Sequence, residues 1–249
     1  MPSFQTANLA PIPILTYHQI ELAPPKGAPY RGLYVSPGSF KRQMAFLNML
    51  GYRGLSLSSL LPYLRGELQG KVVGISFDDG YLNNLTNALP VLQKYGFSST
   101  CYAVSQLLGK TNEWDRHIGI AQTPLMTAAQ LEAWVDGGQE VGAHTRHHVH
   151  LTQSDAAVCR DEIGLSKAEL EAITHTPVPH FCYPYGDFND ETAAMVKSAG
   201  FQSATTTQRR RCHAGEDLMK LPRVPVLRTT SLLSFGLKLF TSYEDKRRS

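Results

Sequence analysis

The sequence predicts one α/β domain of about seven strand–helix units closing into a distorted barrel, with an open doubly wound sheet as the competing arrangement. Three observations predict it. β-rich runs of four to seven residues alternate with helix-period stretches along most of the chain. Strands separated by helices must pair in parallel, because a parallel neighbour needs a crossover connection. No internal repeat or low-complexity linker divides the 249 residues, a length that suits one large domain. In either arrangement the chemistry belongs at the C-terminal ends of the strands.

The expected strands are Pro13–Thr16, Val72–Phe77, Ser98–Val104, Glu140–Ala143, His180–Tyr183, Gln202–Thr205 and Val224–Leu227. Between them, Ser36 is an N-cap with Pro37 at the first helical position, after which Phe40, Met44 and Leu47 share a face. Leu82, Leu85, Leu89 and Leu92 mark a second helix ended by Gly96. Thr127 caps a third that runs through Leu131, Trp134 and Val135 to Gly137. Two more cover about 155–173 and 189–199, the latter stopped by Gly200. The polar run 205–217 reads as a loop, and His213 within it receives no role. The single domain, 1–249, thus has a core over about 13–226 and a tail over 231–249. In the tail, Leu232, Leu233, Phe235, Leu237, Leu239 and Phe240 precede Lys246-Arg247-Arg248. That segment is either a last helix packed on the barrel or a basic amphipathic end lying on an anionic bilayer.

Composition narrows the function classes. With 42% hydrophobic and 18% charged residues the chain has ordinary globular make-up, which excludes a disordered chain. No run approaches the ~20 apolar residues of a membrane span. A net charge of +3 is too mild for a nucleic-acid partner, and it is uneven: residues 201–249 carry +6 and the first 200 carry −3. The four cysteines, Cys101, Cys159, Cys182 and Cys212, form no CxxC pair, which fits reduced thiols and disfavours a cysteine zinc site. The first residues lack a basic region and a small-residue cleavage site, and prolines interrupt their apolar part, so they do not read as a secretory signal. The expected location is therefore the cytoplasm or the inner face of the membrane.

Two segments carry chemistry. Ile75-Ser76-Phe77-Asp78-Asp79-Gly80 runs a hydrophobic strand into two adjacent carboxylates. Such neighbours repel, and burial worsens the repulsion, so a cation or a shared proton is required unless the motif is a solvated turn and helix cap. In His144-Thr145-Arg146-His147-His148-Val149-His150, four of the nine histidines fall within seven residues just after another strand. His144 and His148 are four apart and can share a metal if the turn is helical, while His147 and His150 read as surface residues. Two His and one Asp would make an open three-ligand site of the kind that activates water.

These stretches, with Phe181-Cys182-Tyr183-Pro184-Tyr185-Gly186, resemble the polysaccharide deacetylase family of the NodB-homology type. Leu15-Thr16-Tyr17-His18 and Leu221-Pro222-Arg223-Val224-Pro225 support the resemblance, and the Tyr17-His18 pair is similar to one in the poly-N-acetylglucosamine deacetylase branch. The resemblance implies a distorted (β/α)7 barrel and metal-dependent removal of N-acetyl groups from a polysaccharide or lipid-linked amino sugar. It implies Asp79, His144 and His148 as ligands of a divalent metal, Zn²⁺ first and Co²⁺ or Ni²⁺ as alternatives. Asp78 becomes the general base, and the backbone N–H of Tyr185 a donor to the oxyanion.

The sequence departs from the family pattern at two places. The Arg that opens the third motif is Cys182 here, and the late His is missing from Leu221-Pro222-Arg223. His18 is the expected general acid, and Arg223 the expected replacement charge that orients Asp78, with Arg223→Ala lowering turnover far more than stability. Cys182 reads as a small buried residue. Tyr30 and Tyr34 are either sugar-stacking groups or loop anchors, and Trp114-Asp115 bears a faint likeness to a substrate-side loop. The rival readings are a carbohydrate-binding pseudoenzyme and an esterase or amidase acting on a non-sugar acyl group.

Overall fold

In the computed structural model, which describes residues 10–245, the alternation resolves into eight strands and seven α-helices. The strands are β1 (Ile14–Tyr17), β2 (Arg53–Leu55), β3 (Val72–Phe77), β4 (Thr100–Ala103), β5 (Glu140–Ala143), β6 (His180–Cys182), β7 (Ser203–Arg209) and β8 (Leu221–Pro225). The helices are α1 (Pro37–Met49), α2 (Leu57–Leu64), α3 (Leu89–Tyr95), α4 (Ala128–Asp136), α5 (Ala156–Thr174), α6 (Asp190–Ser198) and α7 (Leu232–Phe240). Every strand pairing is parallel, and β1 bonds to both β3 and β8. This contact closes a seven-stranded ring in the order β1-β3-β4-β5-β6-β7-β8 and rejects the open sheet.

β2 is the eighth strand. It pairs with the first half of β3, from Arg53↔Val72 to Leu55↔Gly74, whereas β4 joins β3 only at Ser76 and Phe77. Gly54 O also accepts the Ser98 N–H at 3.0 Å, so β2 wedges between β3 and the segment that leads into β4. Neither β2 nor α2 stands out in the sequence, because β2 has three residues and α2 carries Pro62 inside it. β7 also runs to Arg209, four residues beyond its expected end. The stretch after it is no free loop: Cys212 bridges Ile12, and Arg210 and Arg211 pair with Glu216 and Asp245.

The expected caps are present. Ser36 Oγ accepts the Ser39 N–H, Thr127 and Gln130 form a capping box, and Gly96 ends α3 in the left-handed conformation. The second helix differs from its expected form. Asn84–Ala88 is a π turn ahead of α3, and its asparagines hold the loop after β1. Asn84 Nδ2 donates to His18 O, Asn83 Oδ1 accepts from Ile20 N, and Asn87 Nδ2 donates to Ile20 O.

Strand alternation sorts side chains into two environments. Leu15, Tyr17, Val73, Ile75, Phe77 and Val224 face the helices and join the main core. There Phe77 packs edge-on to Trp134 at 5.7 Å and near Tyr17 at 5.6 Å. The intervening residues face the barrel lumen. Its lower part is apolar: Ile14, Val72 and Leu221 meet Leu57, Leu60 and Leu64 of α2, which plugs the N-terminal end. Gly74 makes the fit, since a Cβ there would lie 2.8 Å from Leu60 Cδ2. Above the plug, on the same strands, come Thr16, Ser76, Asp78 and Arg223, all buried.

α7 packs Phe235 and Leu239 inward and leaves Leu232, Leu233, Leu237 and Phe240 exposed. Lys246-Arg247-Arg248 lie outside the described residues. Among the described residues no helix is long and apolar enough to cross a membrane. All four cysteines are free and buried.

His180, fully enclosed on β6, bonds to Ser58 Oγ at 2.9 Å and Ser203 Oγ at 2.8 Å. Burial lowers its pKa from 6.5 to about 4 against the pull of Glu140. The unfolded chain therefore takes up this proton first as pH falls. Stability from this group is complete above about 6.5 and is lost as pH drops toward about 4. The expected slope is up to about 1.4 kcal/mol per pH unit within that window. Denaturant unfolding across it should show a shallower slope for His180→Gln than for the parent; equal slopes would reject the assignment.

Candidate active site

The residues singled out by sequence meet at the C-terminal rim of the barrel. Register explains the meeting. Tyr17 lies beside Phe77 in the β1–β3 ladder, so the next residues, His18 and Asp78, emerge as neighbours. His18 Nε2 lies 3.8 Å from Asp78 Oδ2, with the His18 side chain a quarter exposed. β5 delivers His144, β6 leads into Tyr183-Pro184-Tyr185, and β8 contributes Arg223.

Asp78 and Asp79 are both buried, yet they face different partners. Arg223 grips Asp78 in a fork, Nη1 to Oδ1 at 2.6 Å and Nη2 to Oδ2 at 2.8 Å. Its remaining donors go to Thr206 O, Ser76 Oγ and Cys182 Sγ. The Thr206 carbonyl lies in an irregular stretch where the β7–β8 register shifts between Thr205 and Arg209. Burial alone would push the Asp78 carboxyl up; Arg223 and then His18 outweigh it and hold Asp78 below the usual carboxylate range. Asp79 adopts a left-handed backbone, φ 75°, which separates its side chain from its neighbour's surroundings. Its Oδ1 lies 3.4 Å from Nε2 of both His144 and His148. Burial opposes ionisation here too, but hydrogen bonds from the two imidazoles keep Asp79 well below its ordinary range.

Asp79, His144 and His148 bring one ligand atom each to within 4.8 Å of the other two, and all three residues are buried. The donor set fits a divalent metal. One carboxylate and two imidazole nitrogens suit a borderline cation and leave positions open. His144 Nδ1 pairs with Cys182 O at 2.7 Å, which orients the ring with Nε2 toward Asp79. Burial lowers the pKa of His148 against the pull of Asp79, whereas at His144 burial is outweighed by Cys182 and Asp79, which raise it; a metal would need both rings neutral. His148 is not on a helical turn with His144. Thr145 and His148 both take left-handed backbone, φ 61° and 59°, and Thr145 Oγ1 accepts the His148 N–H. Asp79 and Tyr185 (φ 59°) share that conformation, so four of the six non-glycine residues with positive φ among the described residues are gathered here. Each such residue costs about 1–3 kcal/mol and needs the surrounding structure to hold it.

One residue in this support escaped the sequence reading. Glu162, a buried carboxylate on α5, accepts the Arg146 and His147 N–H groups with Oε2 and meets His147 Nδ1 with Oε1 at 2.6 Å. A glutamate next to Ile163 on the core face of an amphipathic helix was the available signal. Trp114 stacks on His148 at 4.3 Å, and Asp115 Oδ1 accepts from Tyr185 Oη at 3.2 Å. His150 is no isolated surface residue either, since its ring stacks on Tyr185 at 3.9 Å. Tyr34 is buried and within 3.4 Å of Thr123 Oγ1, an anchor that also lines the cavity, whereas Tyr30 is half exposed. The cavity of about 380 Å³ is walled by Tyr30, Tyr34, Trp114 and Tyr185 and floored by Asp78 and Asp79. Gly186 closes one wall: a Cβ there would lie 1.9 Å from Thr207 Oγ1.

Comparison with known proteins gives the family and the fold. A family model described as "Polysaccharide deacetylase" matches residues 65–204. YxkH of Bacillus subtilis, which carries the name of a polysaccharide deacetylase, is 27% identical over 234 residues, covering 93% of this chain and 77% of that one. The poly-beta-1,6-N-acetyl-D-glucosamine N-deacetylase of Staphylococcus epidermidis is 26% identical over 203 residues, 77% of this chain and 68% of that one. The structure of Streptococcus pyogenes deacetylase PplD in complex with acetate superposes with a TM-score of 0.82 at 26% identity, covering 93% of this chain and 99% of that one.

The burial of Arg223 corrects one expectation. Its removal must lower stability as well as turnover, because Asp78 would be left charged, buried and without its guanidinium. Arg223→Ala should cost about 3–5 kcal/mol. Adding Asp78→Asn, which removes the charge, should recover a good part of that loss in urea unfolding. Strictly additive losses would show that the two residues are not coupled.

Proposed function

The chain belongs to the polysaccharide deacetylase family, and on that premise we propose that it hydrolyses N-acetyl groups on an amino-sugar glycan with a divalent metal, Zn²⁺ above Co²⁺ or Ni²⁺. The observation that carries the proposal is the division between neighbouring carboxylates. Asp79 faces two imidazoles, while Asp78 faces a guanidinium and a third imidazole. One is built to hold a cation. The other is left to handle a proton.

A zinc ion held by Asp79, His144 and His148 would polarise the acetamide carbonyl and acidify the attacking water enough for a modest base to suffice. Asp78 is that base. Its lowered pKa makes it a weak base, so what it contributes is an ionised carboxylate, held in place by Arg223, that takes the proton of the attacking water. The Tyr185 N–H donates to the carbonyl oxygen as it gains charge. His18, at the wetter side of Asp78, gives its proton to the departing nitrogen. The C–N bond breaks, leaving acetate and a free amine on the sugar.

The aromatic walls support a sugar as substrate, since Tyr30, Trp114 and Tyr185 offer flat apolar faces beside polar rims. The volume lies within the range of small-ligand sites. The name of the Staphylococcus epidermidis relative supports N-acetylglucosamine as the unit.

Acetate release from N-acetylglucosamine oligomers is the direct test. The zinc-loaded protein should release acetate, chelator should stop it, and Asp78→Asn should lower the rate by roughly 10²–10⁴-fold. His18→Ala should do the same for amides while sparing an activated ester, whose leaving group needs no proton. Binding of zinc and of oligomers without any acetate released would favour the carbohydrate-binding reading.

A further inference from the structure

From the surface of α1 and α7 we infer a docking face for an anionic lipid bilayer. On α1, Arg42, Phe46 and Met49 follow each other at helical spacing on the side turned toward α7. On α7, Leu233, Leu237 and Phe240 repeat the same spacing. Leu233 is 78% exposed and Met49 71%, with Leu232, Leu237 and Phe240 near 40%. Phe46 of α1 and Leu232, Leu233, Leu237 and Phe240 of α7 line one open apolar groove, in which Phe46 meets Phe240 at 6.3 Å and Gly236 leaves room beside the Phe46 ring. A monomer rarely exposes this many large apolar side chains in one place without a partner.

Charge identifies the partner. Residues 36–53 and 225–243, which build this face, contain Lys41, Arg42, Arg53, Arg228 and Lys238 and no aspartate or glutamate. Lys238 is turned inward and paired with Glu244. Arg42 and Arg228 are exposed and line a polar recess with Thr229, Thr230 and Ser231 at the first turn of α7. At the other end the Tyr52 ring packs on Phe240 at 5.3 Å, while Arg53 turns away to donate to Tyr63 Oη of α2. An apolar stripe with two exposed arginines at one end and no acid along these segments matches a headgroup–acyl boundary of negative charge. With nine residues, α7 lies on a bilayer and does not span it. Arg228 N donates to Gly32 O, beside Leu33 of the cavity wall, so the basic end of the face is the end next to the mouth of the active site. Docked this way, the barrel rests on its flank and the mouth opens along the membrane surface.

Vesicle flotation of the full chain tests the inference, using phosphatidylcholine vesicles with and without phosphatidylglycerol. The parent should float with the anionic vesicles only, and added salt should weaken it. Arg42→Glu with Arg228→Glu should lower partitioning by roughly tenfold or more, and Leu233→Glu with Leu237→Glu by at least as much. All four positions are exposed and outside the active site, so acetate release from a soluble oligomer serves as the folding control. Equal flotation on neutral and anionic vesicles, or no loss in either variant, overturns the proposal. So does a two-chain mass in light scattering that Leu233→Glu returns to one, which would assign the face to a second copy.

Discussion

Two adjacent carboxylates buried at the end of one strand cannot both stay charged unless each has its own cationic or hydrogen-bonding partner. The upper half of this barrel is arranged around that constraint. The left-handed turn at Asp79 sends the neighbours to separate surroundings. Asp78 receives Arg223 and His18 from the two strands that flank the closure of the ring, β8 and β1. Asp79 receives His144 and His148 from the loop after β5. The strain in that loop is held from outside, by Glu162 on α5 and by Trp114 stacked over His148.

Placement of charge in the lumen depends on what lies beneath it. Alternate residues of β1, β3 and β8 point inward, apolar at the start of each strand and polar at the end. α2 seals the lower end against water with leucines. The site is therefore open only at the rim. Its ion pair sits in a medium of low polarity, where Coulomb interactions are stronger than in water and an unpaired charge is costly. This gives the substitution at Cys182 its meaning. The third motif of this chain offers a thiol where the family pattern has Arg, and the guanidinium arrives instead from β8, reaching both Asp78 and Cys182 Sγ. Because inward side chains from different strands converge on one lumen, a charge absent from β6 can be supplied to Asp78 from β8.

The same barrel presents a different character on its flank. α7 buries Phe235 and Leu239 and leaves the rest of its apolar residues in the open, so the two sequence readings of this segment, packed helix and exposed amphipathic end, describe opposite faces of one element. The helix connects to the site through the loop at Arg228, whose N–H bonds to Gly32 near the cavity mouth. An exposed apolar face on the flank and an aromatic-walled cavity at the rim are thus joined by a short stretch of chain.

Features set by neighbours in sequence could be read without coordinates. The seven barrel strands, the caps at Ser36 and Thr127, the stop at Gly96, the Asp78–Asp79 pair and the His144–His148 spacing all rest on local pattern. Resemblance added Tyr185, His18 and Arg223 as candidates, yet nothing in the spacing ties residue 18 or 223 to residue 78. Their meeting was decided by the closure of β1 on β3 and β8, which brings parts of the chain far apart in sequence into register. β2 and α2 were too short and too interrupted to announce themselves, and the π turn at Asn84–Ala88 answers to hydrogen bonds from a distant loop. Local pattern was enough to mark the seven barrel strands and the chemically equipped residues at their ends. The tertiary structure decided which charges neutralise one another, because that depends on distances across the barrel that no local pattern contains.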